Sequence, residues 1–153
     1  MSENRHPGNE LAISRHKSRE LALHTLYACE VGSSQQWEVM LDRIADNDQL
    51  GPGVRKYARD VVAATLDHLE TIDSMLTEVA ANWELRRMAA VDRNILRLAA
   101  AELLYFADIV PFKVVIDEAV EIAKTYGTED SGKFVNGILD SVHKKLTQRT
   151  DPQ

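Results

Sequence analysis

Residues 110–140 read VPFKVVIDEAVEIAKTYGTEDSGKFVNGILD and predict two amphipathic helices joined by a short corner. We expect the first helix at Phe112–Tyr126, because Pro111 suits a first helical turn, where its missing N–H has no intrahelical partner. Gly127 is expected to end that helix in a left-handed conformation. The second helix is expected at about Ser131–Thr147, with apolar residues at helical spacing along one face.

The corner also has the spacing of a nucleotide-binding P-loop, since Gly127, Gly132 and Lys133 match G-x-x-x-x-G-K. A P-loop follows a β-strand and ends in Ser or Thr. Here the preceding segment is a predicted helix, and Phe134 stands where the hydroxyl is needed. Two acids inside the segment would repel phosphates and instead suit the positive end of a helix dipole. The pattern therefore favours a helix–helix corner, with Phe134 as the first core residue of the second helix.

The rest of the chain shows helical periodicity and no strand-like alternation. Further helices are expected at about 15–31, 36–45, 54–81 and 93–107, with a short turn at 83–88. About seven helices with short connections predict an all-α protein. We expect a single domain at 14–147 between two disordered tails, 1–13 and 148–153.

The composition is that of a soluble globular protein, with 44% hydrophobic and 27% charged residues. A net charge of −6 argues against general binding of polyanions. The single Cys29 excludes an internal disulfide, and no cysteine–histidine cluster has zinc spacing, so we expect no metal or cofactor. No apolar run reaches the roughly 20 residues of a membrane span, and no signal peptide is visible. We expect a cytoplasmic protein without membrane contact.

No recognisable catalytic constellation is present, since the five histidines are dispersed and lack a nucleophile at useful spacing. Glu102 lies inside the apolar stripe of its predicted helix, so it needs a polar partner. Its two interpretations are a satisfied buried carboxylate and a catalytic group, of which the first is favoured because no second catalytic group lies near. We expect the protein not to be an enzyme.

Residues 15–19, RHKSR, place three formal positive charges at the start of a predicted helix. Cations there oppose the helix dipole, so helix stability does not explain them. Arg15, Arg19, Leu23 and Tyr27 follow each other at i,i+4, which directs a basic stripe toward an aromatic ring. Such a stripe can bind single-stranded RNA through phosphate contacts and base stacking. The alternative is a solvated helix end with Tyr27 in the core.

The predicted helix 93–107 is apolar nearly all round, apart from two arginines on the face opposite its apolar stripe. That face holds Arg93, Arg97, Ala100 and Leu104. Either the helix is central and covered on both sides, or this face binds a partner protein. The first interpretation is favoured by the pattern alone.

Three segments in order resemble the bacterial transcription antitermination family NusB: RHKSRELALHTLYA (15–28), NWELRRMAAVDRNILRLAAAELLY (82–105) and the opening stretch 110–140. The resemblance implies two three-helix bundles packed across each other, and no catalytic activity. It implies binding of the boxA RNA of ribosomal RNA leaders together with NusE, a small-subunit ribosomal protein, within an RNA polymerase antitermination complex. An adaptor that binds NusE without its own RNA contact is the alternative, and monomer or homodimer is left open.

The resemblance also implies which residues act. Its RNA-binding positions are Arg15, His16, Lys17, Arg19, Tyr27, Glu129, Asp130, Ser131 and Lys133. Its positions facing NusE are Asp92, Arg93, Arg97, Ala100 and Leu104. His16 stands where the family often has arginine, which weakens one phosphate contact at neutral pH. Asp130 is expected to oppose phosphate and so to moderate RNA affinity.

Overall fold

The computed structural model describes residues 7–32 and 36–150, and these residues form seven α-helices and no strand. The expected all-α class is therefore confirmed. The helices are α1 (Pro7–Glu30), α2 (Trp37–Asn47), α3 (Pro52–Asp67), α4 (Leu69–Val79), α5 (Ala90–Tyr105), α6 (Phe112–Tyr126) and α7 (Ser131–Thr150), with a 3-10 turn at Leu85–Arg87. The chain divides into two compact units between Val62 and Ala63, within α3.

The first unit packs α1 against α2 and holds the start of α3. Its core contains Leu26 from α1, Leu41 from α2 and Val61 from α3, all of them buried. Each such side chain removed from water stabilises the fold by about 1.5–3 kcal/mol. Ser18 ties α1 to α3, because its hydroxyl donates a 2.7 Å hydrogen bond to the Val54 carbonyl oxygen.

The second unit is built around α5, which packs against α4, α6 and α7. Residues 94–103 are buried with the exception of Arg97, as expected of a helix that is apolar nearly all round. Glu102 belongs to this core and is buried. The helix α5 is therefore central and covered by its neighbours, which is the interpretation that its sequence favoured.

Several helix boundaries differ from the sequence-based expectation, including the start of α5 at Ala90 rather than Arg93. α1 begins at Pro7 rather than Arg15, so residues 7–13 are helical instead of part of a disordered tail, and α7 continues to Thr150. The outermost residues of both expected tails, 1–6 and 151–153, lie outside the described residues. The single long helix expected at 54–81 is wrong, because the backbone breaks at His68 between α3 and α4.

The corner between α6 and α7 has the expected position but not the expected backbone. Gly127 has φ −95°, so a left-handed stop is wrong. A glycine is needed there for a different reason. A Cβ at this position would lie 2.8 Å from the Ala123 carbonyl oxygen and 2.6 Å from Ser131 Cβ. Because α7 lies so close to the end of α6, any larger residue here would force the corner to shift.

Candidate nucleic-acid interface

The first group of expected RNA contacts lies on α1, within the first unit. Lys17 is exposed, while Arg15 and His16 are half-buried. His16 Nε2 lies 3.6 Å from Glu20 Oε1, one turn further along the helix. Because α1 already begins at Pro7, these cations sit in mid-helix, where the dipole no longer opposes them. The expectation that these cations oppose the dipole at a helix start is therefore wrong.

The continuous basic stripe expected along α1 is not formed. Arg19 is only 6% exposed and Leu23 is buried, so Arg19 offers no open surface to a phosphate. Tyr27 is 41% exposed, which excludes the alternative that it is a core residue. The ring that faces the arginines is instead Tyr57 of α3, whose centroid lies 4.7 Å from Arg15 Cζ and 5.8 Å from Arg19 Cζ. The position of Tyr57 in the apolar pattern of the predicted helix 54–81 gave no sign of this contact.

The second group of expected RNA contacts borders a groove of about 540 Å³ in the second unit. We call it the α5–α7 groove, because the starts of α5 and α7 form its walls together with the 3-10 turn. Its lining residues are Trp83, Arg87, Met88, Ala89, Asp92, Thr128, Asp130, Ser131, Lys133 and Phe134. It brings the expected RNA contacts Asp130, Ser131 and Lys133 together with Asp92, which was expected to face NusE. Glu129 is exposed but does not line it.

Two aromatic rings form one wall of the α5–α7 groove. Trp83 is 60% exposed, and its ring lies edge-on to Phe134 with 5.3 Å between centroids. Phe134 is half-buried, so the expectation that it anchors the core is only partly met. An exposed indole beside a second ring is a surface on which a nucleobase can stack. The sequence contains Trp83 in a family-like segment, but only the fold shows that it meets α7.

The charges around the α5–α7 groove are balanced. Arg87 and Lys133 contribute two positive groups, and Asp92 and Asp130 two negative ones. Asp92 lies in the first turn of α5. Its Oδ1 atom is buried and has no hydrogen-bond partner among the described residues.

Ser131 is not available as an RNA contact in this conformation. It is 1% exposed, and its Oγ accepts a 2.9 Å hydrogen bond from the Thr128 backbone N–H. The Thr128 hydroxyl lies 3.2 Å from the same oxygen. The serine thus stabilises the corner before α7.

The α5 face expected to meet a partner protein is largely occupied within the chain. The Arg97 guanidinium pairs with both carboxylate oxygens of Asp73 on α4, at 2.8 and 2.9 Å, and Ala100 is buried. Arg93 donates hydrogen bonds to the carbonyl oxygens of Met88 at 2.9 Å and Leu85 at 3.3 Å. Arg97 therefore links α5 to α4, and Arg93 links α5 to the 3-10 turn. Of the five residues, Ala100 is buried and the other four are half-buried.

Other chemistry is limited within the part of the chain that the structure describes. No group of three or more His, Cys, Asp or Glu residues there could hold a metal ion. Burial, with a smaller effect of the Glu38 carboxylate, raises the pKa of the Cys29 thiol, which disfavours the reactive thiolate. None of the described helices combines the length and apolarity that crossing a membrane requires.

The fold and these surfaces define a small all-α protein with exposed charged and aromatic side chains. Residues 16–144 match the sequence model of the NusB family. The chain is 44% identical over 140 residues to a transcription antitermination protein NusB of Desulfitobacterium hafniense, covering 91% of this chain and 94% of that relative. The chain belongs to the NusB family.

Solved structures agree with this assignment. A structure of T. maritima NusB superposes with a TM-score of 0.79 at 40% identity, covering 86% of this chain and 91% of that one. A crystal structure of the antitermination factors NusB and NusE in complex with double-stranded RNA contains a chain that matches at 28% identity. Its TM-score is 0.77, with 86% of this chain and 97% of that chain covered.

Proposed function

We propose that this protein is an RNA-binding transcription antitermination factor that binds the boxA RNA of ribosomal RNA leaders together with NusE. It would act by joining these two ligands to an RNA polymerase antitermination complex in the cytoplasm, and not by catalysis. The observation that carries the proposal is family membership across residues 16–144, combined with exposed basic and aromatic side chains at two of the expected RNA-binding segments.

The α1 segment supports phosphate binding. Lys17 is exposed and Arg15 is half-buried, so their charged ends lie where an RNA backbone can reach them. Neutralising phosphates releases counterions, which makes binding fall as salt rises. Tyr27, exposed on the same helix, adds an aromatic face.

The α5–α7 groove supports contact with a base. Trp83 and Phe134 offer aromatic surface, and Lys133 offers a cation. Single-stranded RNA is commonly recognised by stacking of splayed bases together with hydrogen bonds to their edges. The near-neutral charge of the groove suits a base better than a run of phosphates.

The alternative is a protein adaptor that binds NusE without its own RNA contact. It is favoured by the burial of Arg19 and Ser131, which leaves fewer RNA contacts than the sequence suggested. The net charge of −6 also favours it.

Fluorescence anisotropy with labelled boxA RNA, with and without NusE, separates the two functions. The double variant Arg15→Ala/Lys17→Ala removes the accessible cations and spares the buried Arg19. Losing two phosphate contacts is expected to reduce the slope of log affinity against log salt by about 1.4. The control Arg43→Ala/Lys144→Ala removes the same charge from exposed positions on α2 and α7.

The RNA-binding function predicts that the first variant loses RNA affinity and keeps NusE affinity, while the control retains both. Equal losses in the two variants would reduce the effect to net charge. If the unaltered protein with NusE does not bind boxA RNA even at low salt, the RNA-binding function is wrong and the adaptor function remains.

A further inference from the structure

Tyr57 of α3 lies against two arginines of α1. Its ring centroid is 4.7 Å from Arg15 Cζ and 5.8 Å from Arg19 Cζ, both within the range of a cation–π interaction. The three residues belong to the first unit, and Tyr57 is half-buried. The ring therefore bridges two guanidinium groups that are one helical turn apart.

This arrangement keeps two like charges close together. Cations at i,i+4 on a helix repel each other. A carboxylate partner would relieve the repulsion by neutralising the charge. The negative face of the Tyr57 ring attracts both guanidiniums without cancelling either positive charge. The ring contact thus leaves the positive charge of Arg15 in place.

The contact also preserves the hydrogen-bonding groups of Arg15. A guanidinium is planar and carries its five N–H donors in that plane. Attraction to an aromatic ring takes no N–H donor out of use, whereas a bidentate pair with a carboxylate occupies two of them. Restricting the long Arg15 side chain in advance lowers the entropy cost of a later contact.

We propose that Tyr57 is a positioning residue that holds Arg15 ready to donate hydrogen bonds to a phosphate of the bound RNA. The inference rests on the proposed RNA-binding function and extends it to a residue of α3. Tyr57 itself touches no RNA in this account. Arg19, 6% exposed, lies over the same ring and makes no RNA contact.

The test compares Tyr57→Leu, which removes the ring, with Tyr57→Phe, which keeps it. Affinity for labelled boxA RNA is expected to fall about three- to tenfold in Tyr57→Leu and to stay within about twofold in Tyr57→Phe. NusE affinity is expected to be unchanged in both variants. Adding Tyr57→Leu to Arg15→Ala is expected to cause little further loss, because the ring acts through Arg15.

A third substitution guards against a general folding defect in Tyr57→Leu. Pentafluorophenylalanine at position 57 keeps the size of the ring but removes its negative face. RNA affinity is expected to fall as in Tyr57→Leu, and the proton NMR signal of the Arg15 side-chain Nε–H is expected to shift. Unchanged RNA affinity with the fluorinated ring overturns the positioning role.

The experiment also distinguishes a failure of the proposed RNA-binding function from a failure of the positioning role of Tyr57. If Arg15→Ala leaves RNA affinity unchanged, the assignment of this face to RNA is at fault. If Arg15→Ala weakens RNA binding but Tyr57→Leu adds its own full loss on top, Tyr57 acts by another route and the inference is wrong.

Discussion

Replacing Asp130 by Asn is expected to tighten RNA binding, because it removes one of two negative charges from the α5–α7 groove. Of the charged side chains that line the groove, Arg87, Lys133 and Asp92 then remain, so the formal charge of the lining changes from zero to about +1. The amide keeps the size of the side chain, and Asp130 is exposed, so the fold should be unaffected. The substitution therefore tests the effect of this one charge on RNA affinity.

The size of the effect follows from Coulomb's law. Two unit charges about 6 Å apart in water interact by about 0.7 kcal/mol, and salt reduces this further for exposed groups. Removing the repulsion between Asp130 and a phosphate at that range corresponds to about a 1.5- to threefold gain in affinity. A much larger gain would require a dry contact, which the exposure of Asp130 does not support.

The assay is a boxA RNA titration at matched ionic strength, repeated at several salt concentrations. Glu129→Gln is the matched control, since Glu129 is the adjacent acid and is exposed but lies outside the groove lining. We expect a clear gain for Asp130→Asn and a smaller one for Glu129→Gln. Unchanged or weaker binding by Asp130→Asn would refute the placement of RNA near this groove.

Three further predictions concern stability and are checked by urea denaturation. Phe134→Ala is expected to cost about 1.5–3 kcal/mol, less than the 3–5 kcal/mol of a fully buried ring, because Phe134 is half-buried; no measurable loss would place the ring outside the fold. Arg97→Ala is expected to cost about 1–3 kcal/mol by leaving Asp73 without its bidentate partner. The double variant with Asp73→Ala should then lose less than the sum of the two single losses, and strict additivity would argue against the pair. Gly127→Ala is expected to cost about 1–3 kcal/mol through the clash with Ser131, and a neutral effect would show that the corner can relax.

Helix boundaries were predictable where a Pro or Gly marks the end of a helix in the sequence. α6 spans Phe112–Tyr126 as expected, because Pro111 and Gly127 stand at its two ends. The break at His68 was missed because no Gly or Pro interrupts the apolar spacing there. The early start of α1 was missed because residues 8–13 are all exposed, and without a buried face they show no amphipathic period.

The candidate interface was predictable only in part. Lys17 and Lys133 are exposed where the family resemblance placed RNA contacts, although their contact with RNA stays a prediction. The contacts of Tyr57 with Arg15 and of Trp83 with Phe134 were missed, because both form only through tertiary packing. The same packing buries Ser131, which no local pattern revealed. Spacing identifies a helix face, but it does not show which other helix covers that face.

The most direct measurement of the central claim compares boxA RNA with a scrambled RNA of equal length, using the purified protein and NusE at physiological salt. The two RNAs carry equal charge, so counterion release contributes equally to both. A sequence-specific RNA-binding factor is expected to bind boxA at least about tenfold more tightly, a difference of about 1.4 kcal/mol. Equal affinities for the two RNAs would contradict the account, because binding would then depend on charge alone.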